Sequence, residues 1–377
     1  MHAFRKALAF VGLLVICACG ATSTKSVAVS PSASSPTPAS VSAYAVLVNN
    51  FMNFSDGGIP DYTLSIVAAD GHVAASATAR NRATLGVQIA NLSTSATTVY
   101  FLDGDADVRF LHPDGSTGLA THITLDSKQA AAFAVSPDDR RIAVSVLDYT
   151  RYPVSTRLYV EDLHGGGNHV ELLSSSNLME WPVGWHSGNL VMALGLNIPP
   201  QNSGDWFQGA HGYQIVDAQS GKPLHSLCDG EDSFVPASPV GAVCVNFPTA
   251  SVTSWDGLTR ALPTALKPDA TSGTCSLSGP LSPAGVVATD IVSVSLGGCG
   301  GGTTVFTVSA LGAIDPRAVA TKALPVGWTD SDHLVVDAAL WTRPQAQQDL
   351  SIVDVRTLAV AHVQAAGFFA AALPGGL

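Results

Sequence analysis

Three short runs in this 377-residue chain carry residue types that could do chemistry. Asp103-Gly-Asp-Ala-Asp107 has the alternating carboxylates of a calcium loop, but that loop needs Gly at its sixth position and Glu at its twelfth. Val108 and Asp114 stand there instead, so a solvated acidic turn accounts for the run. His164-Gly-Gly-Gly167 has the make-up of an oxyanion loop, yet no Gly-x-Ser-x-Gly elbow accompanies it. Gly297-Gly-Cys-Gly-Gly-Gly302 lacks the Lys-Ser/Thr that a phosphate loop requires. The 11 histidines are scattered, with no His-Glu-x-x-His, and no Cys-x-x-Cys occurs, so no metal site is expected. A carboxylate pair gathered from distant segments would leave no linear motif. Asp148, Asp205 and Asp337 are its candidates.

A second group of residues suits recognition. Phe51, Phe54, Tyr149, Arg151, Tyr152, Trp206, Phe207, Trp341 and Arg343 all fall in long polar stretches between apolar runs. Aromatics make up only 7% of the chain, so this clustering predicts a partner-binding face. The alternative is that these rings pack beneath their own loops.

Both groups depend on what holds them. Phe133-Ala-Val-Ser-Pro-Asp-Asp-Arg-Arg-Ile-Ala-Val-Ser145 reads as strand, tight turn, strand. Fainter copies centre near Thr94, Pro137, Ser187, Pro239, Pro283, Asp330 and Pro374, at gaps of 43 to 52 residues. A mostly β unit repeating at that period implies a propeller of four-stranded blades, strands a to d running outward from the axis. The third unit would place a at Ala131–Ser136, b at Arg141–Leu147, c at Arg157–Leu163 and d at His169–Leu173. The seventh a-strand, Phe368–Leu373, has no following strand, whereas Ala43–Asn49, Tyr62–Ala68 and Val73–Ala79 supply b, c and d. Pairing of the C-terminal strand with these N-terminal strands would close the ring and remove two open edges. The fold expected is all-β, a seven-bladed β-propeller, with six or eight blades as the alternatives. Turns between a and b are short. The connections between b and c, on the opposite end, are long and carry the aromatic and arginine residues.

Ser136-Pro-Asp-Asp-Arg-Arg-Ile-Ala-Val144 and Leu158-Tyr-Val-Glu-Asp-Leu-His-Gly-Gly166 resemble the repeats of TolB-like and WD-repeat-like periplasmic propellers. That resemblance implies a fold and a binding role rather than one activity. No Gly-His pair opens a unit, and Trp255-Asp256 is an isolated dipeptide. At the N-terminus, Arg5 and Lys6 precede an apolar run, Ala7 to Ile16, too short to span a bilayer. The exit Ile16-Cys-Ala-Cys19 resembles a bacterial lipobox, which implies lipidation of Cys19 and loss of residues 1–18 as a signal peptide. Residues 19–42 are nearly all Ser, Thr, Pro and Ala, too polar to repay ordering, and predict a disordered tether about 25 Å in relaxed span. The propeller domain would occupy residues 43–377.

The three basic residues before position 43 leave that domain 15 Lys and Arg against 29 Asp and Glu, a balance of −14. Such a surface argues against nucleic acid and against direct docking on anionic lipid. Its four cysteines, Cys228, Cys244, Cys275 and Cys299, fit two disulfides in an exported chain. Three pairings are open; Cys228–Cys244 and Cys275–Cys299 are nearest in sequence. Together these features predict a monomeric, lipid-anchored module of the cell envelope. It would bind an envelope protein, a glycan or a small ligand through its long b–c loops. No cofactor, no metal and no enzymatic activity are expected. The alternative is a propeller enzyme of hydrolase or lactonase type, with a metal or carboxylate site at the axial mouth.

Overall fold

A computed structural model describes residues 42–49, 61–81, 92–148, 150, 153–176, 179–195, 209–229, 232–234, 238–246, 249–262, 279–292, 303–309, 317–321, 323–338 and 349–377. These residues fall within one compact unit, Val41–Leu377. They are all-β and form seven antiparallel sheets in chain order, a β-propeller. The expected closure is present: Phe368–Leu373 pairs with Tyr44–Asn49, from Tyr44 opposite Leu373 to Val48 opposite Phe368, with one bulge at Val46/Leu47. Tyr62–Ala68 and Val73–Ala79 complete this first sheet.

The strands follow from where their side chains can go. In the third sheet, strand b is Arg141–Asp148. Its Ile142, Val144 and Val146 pack with Tyr100, Leu102 and Val108 of the second sheet. On the opposite face Ala143 meets Leu190 and Met192 of the fourth sheet, and Leu147 meets Met179 and Trp181. A strand covered on both faces must be apolar throughout, which is why this run lacks strict alternation. The outermost strands touch neighbours on one side only and are largely exposed, as in Thr117–His122, Pro223–Leu227 and Val360–His362. Short, polar outer strands keep these edges from recruiting further strands.

Polar links between sheets fix their angular position. Trp185 Nε1 donates to Ala134 O of the preceding sheet at 3.1 Å, and Trp328 Nε1 donates to Pro280 O at 2.9 Å. Tyr100 Oη donates to Asp139 in the third sheet's a–b turn at 3.0 Å. In that turn Ser136 Oγ donates to Asp138 (2.6 Å) and accepts the Arg141 N–H (2.9 Å). Asp139 takes the left-handed conformation at φ 59°, which a short polar side chain tolerates. The bond from Ser136 holds the Asp138 carboxyl below the usual carboxylate range. These residues are committed to the turn.

Two sheets depart from the four-stranded pattern. The fifth has five strands because Gly209–Ala210 joins Asp232–Phe234 at one edge. In the sixth, three strands are present, and Leu281 bridges Val287 where a first strand would lie.

Candidate functional site

Among the described residues, the b-strands end and the a-strands begin at the end of the ring from which the b–c connections depart. There the final residue of strand b recurs as Asn49, Asp103, Asp148, Asn246 and Asp337 in five of the seven sheets. Three of these side chains are seen gripping backbone. Asp103 Oδ1 accepts the Arg80 N–H at 2.9 Å, Asp148 Oδ1 accepts the Thr150 N–H at 2.8 Å, and Asp337 Oδ1 accepts the Asp349 N–H at 3.2 Å. A carboxylate here accepts N–H groups that the departing connection leaves without a sheet partner. The sequence singled out Asp148 and Asp337 as loose catalytic candidates. Both root loops, and Asp337 does so at 1% exposure.

Glu180, which sequence reasoning missed, lies near the same end. It is the second residue of the fourth sheet's strand a, Met179–His186, and sits opposite Leu194. Only 3% of it is exposed. Its Oε2 has no hydrogen-bond partner among the described residues, and desolvation pushes its carboxyl above the usual range. Burial shifts such an acid towards its neutral form, which can donate a hydrogen bond.

The root of the connection carrying Trp206 and Phe207 is clamped on three sides. His211 N–H donates to Leu194 O, and Leu194 N–H donates to Gly212 O. Gly209–Ala210 pairs with Asp232–Phe234 in the adjoining sheet. A Cβ at Gly212 would lie 2.8 Å from Cys228 O, so only glycine fits, at φ 122°. Cys228 is itself tied to Cys244 by a disulfide, one of the two sequence-nearest pairings. The loop is thus rooted on the inner edge of the fifth sheet.

Other sequence candidates resolve into scaffold. The carboxylates of the 103–107 run close the second sheet's b–c turn around Arg80, whose Nε lies 2.8 Å from Asp103 and whose guanidinium lies 3.2 Å from Asp107. His122 takes the other Asp107 oxygen at 2.6 Å. Among the described residues, no group of three or more His, Cys, Asp and Glu is arranged to hold a metal. His164-Gly-Gly-Gly167 is a c–d turn, with Gly165 and Gly166 at positive φ. The tryptophans Trp181, Trp185 and Trp328 are buried between sheets. Phe51, Phe54, Tyr149, Arg151, Tyr152, Trp206, Phe207, Trp341, Arg343, Asp205, Cys275, Cys299, Gly297–Gly302 and Cys19, the residue expected to be lipidated, lie outside the described residues. Among the described residues no helix is long and apolar enough to cross a membrane.

No family model matches the chain, and no curated protein matches it in sequence. Solved structures are similar in fold. Acylaminoacyl peptidase from Pyrococcus horikoshii matches at 12% identity and TM-score 0.44, over 78% of this chain and 46% of that one. Prolyl oligopeptidase B from Galerina marginata matches at 9% identity and TM-score 0.37, over 87% and 43%. A chain of the mitotic checkpoint complex matches at 10% identity and TM-score 0.39, over 74% and 79%. The chain therefore spans about half the length of the two peptidases. At these identities and TM-scores the likeness assigns no activity and no mechanism to this chain. One expectation is corrected by it: peptidases stand among the similar structures, so the sequence-based exclusion of enzymatic activity is withdrawn.

Proposed function

We propose that this chain is a lipid-anchored propeller of the cell envelope that takes hold of its ligand at the long-loop end of the ring. It would act there as a monomer, in the manner of TolB-like envelope propellers. The observation that carries the reading is the asymmetry of the ring. Short turns close one end, whereas at the other a clamped root carries the connection bearing Trp206 and Phe207. Rigid roots beneath long connections are how propellers present recognition loops. The chain enters the ring at Tyr44, opposite Leu373 and so at the short-turn end. A tether lipidated at Cys19 would join the ring by that end and leave the loops free. The ligand would be an envelope protein, a glycan or a small molecule. Replacing Tyr152, Trp206 and Trp341 together by alanine should abolish ligand capture with Tm unchanged. Capture that survives with the fold intact overturns the reading.

A second reading makes the same end a hydrolytic site, and Glu180 favours it. A buried acid with one oxygen unpartnered among the described residues is the type of group a propeller hydrolase would use as a proton donor. Ester, lactone and peptide substrates should then be cleaved by the purified chain and not by Glu180→Gln. Turnover that the variant retains removes this reading and leaves the first in place.

A further inference from the structure

The Pro-Gly-Gly-Leu run after the closing strand touches one sheet after another. Leu373 is paired to Tyr44 in the first sheet. Gly375 N–H donates to Ser95 O of the second at 2.6 Å, and its backbone lies so close to Thr94 that no Cβ fits between them. A Cβ on Gly376 would lie 3.4 Å from Pro137 Cγ, in the third sheet's a–b turn. Leu377 N–H donates to Trp185 O of the fourth sheet at 3.2 Å.

Leu377 also has a seat. It packs against the core cluster containing Met179, Trp181 and Tyr213. A Cβ at Gly184 would lie 2.7 Å from both Leu377 Cγ and Leu377 Cδ1. Gly184 is not at positive φ, so its backbone does not require glycine; the space taken by Leu377 does. The notch coincides with the register shift between Pro182 and Gly184. In a ring of seven sheets the first and fourth lie nearly opposite. Four residues reach at most about 13 Å, and on the way to the fourth sheet the run passes close by the a–b turns of the second and third.

We propose that Pro374–Leu377 is a strap across the short-turn mouth, seated in the Gly184 notch, that locks the closing strand to the far side of the ring. The axial channel is then a cup, entered from the long-loop end alone. This inference stands on geometry at the other end of the ring from the proposed ligand site and does not depend on it.

Hydrogen exchange on the intact chain is the first test. The Gly375 and Leu377 amides should exchange at least about ten-fold more slowly than in a free peptide, because both are hydrogen-bonded. The second test uses Thr94→Cys, which puts a thiol beneath the strap, and follows its labelling by a charged maleimide, peptide by peptide. Adding Gly184→Val fills the notch and leaves the strap sequence intact. Labelling at position 94 should rise on the order of ten-fold, with a lower Tm. If Gly184→Val fails to fold, exchange in the wild type decides alone. Free-peptide exchange of both amides, or equal labelling at position 94 with and without Gly184→Val, overturns the strap.

Discussion

The two ends of the ring solve opposite problems. At the short-turn end, Ser95, Ser136, Ser238 and Ser282 occupy one place in four a–b turns, and Asp330, one residue beyond the matching Thr329, serves a fifth. Each accepts backbone N–H groups just downstream, as Ser282 does from Ala284 and Val286 and Asp330 from Asp332 and His333. Every one of these turns closes on itself. At the long-loop end the recurrent side chain is the Asx that finishes strand b, and it grips chain that is leaving the sheet at Asp148 and returning to it at Asp337. One end is finished as structure, and the other is built to hold connections in place. Propellers keep the ring constant and vary what projects from it, so the end that holds connections is the one to test for function.

The comparison breaks most forcefully at the seam. Phe369 of the closing strand packs with Leu47, Val335 and Ile352, joining the first and seventh sheets. Phe369→Ala should cost about 3–5 kcal/mol, the usual range for emptying a buried aromatic site. Denaturant unfolding reads it, and loss at both ends of the ring together is expected.

Opening the Cys228–Cys244 disulfide should cost somewhat less, about 3 kcal/mol for a 16-residue separation on the chain-entropy model. Its effect should be lopsided. Exchange should quicken at Gly209–Ala210 and His211, at the long-loop root, while Ser136 to Arg141 at the short-turn end stay protected. Equal loosening of both ends would erase the distinction drawn between them.

Glu180→Gln gives a smaller effect with a defined sign. Burial raises the Glu180 carboxyl in the folded chain. Its contribution is therefore fully present below the unfolded value, about 4.3, and is lost as pH rises through the folded value. Glutamine has no such loss. The stability of Glu180→Gln relative to wild type should grow as pH climbs from about 4 to 7. A flat difference would mean that the carboxyl is not desolvated.

The smallest effect lies on the outer rim, beside the third sheet's c–d turn. His169 is held by Glu161 (2.8 Å) and Glu171 (3.1 Å), which raise its proton affinity. Its exposed pairs contribute a little stability below about pH 6.5, lost as pH rises through the raised value. His169→Gln should flatten that slope and leave the rest of the profile unchanged.

Much of the scaffold was legible because turns announce themselves. Proline, glycine, serine and aspartate punctuated each a–b hairpin, and Phe368–Leu373, Tyr62–Ala68 and Val73–Ala79 run over the residues expected. The seam followed from a strand left without a partner. What escaped depends on neighbours distant in sequence. Gly209–Ala210 is two residues long and has no periodicity to betray a strand. Met179-Glu-Trp-Pro182 gives no hint that its acid is buried, since segments remote in the chain desolvate it. The recurrence of Asx at the end of strand b was a signal available in the sequence, visible once strand ends are aligned. Nothing in the residues around Gly184 marks it, because the space it leaves is taken by Leu377, far along the chain.

The central claim is that ligand meets the long-loop end. Photo-crosslinking amino acids placed at Tyr152, Trp206 and Trp341, and in parallel at Pro137, Ser187 and Pro283, would test it in cells that make the full chain. The account predicts adducts from the first three positions and none from the second three. Adducts from the short-turn positions, with none from the loops, would contradict it.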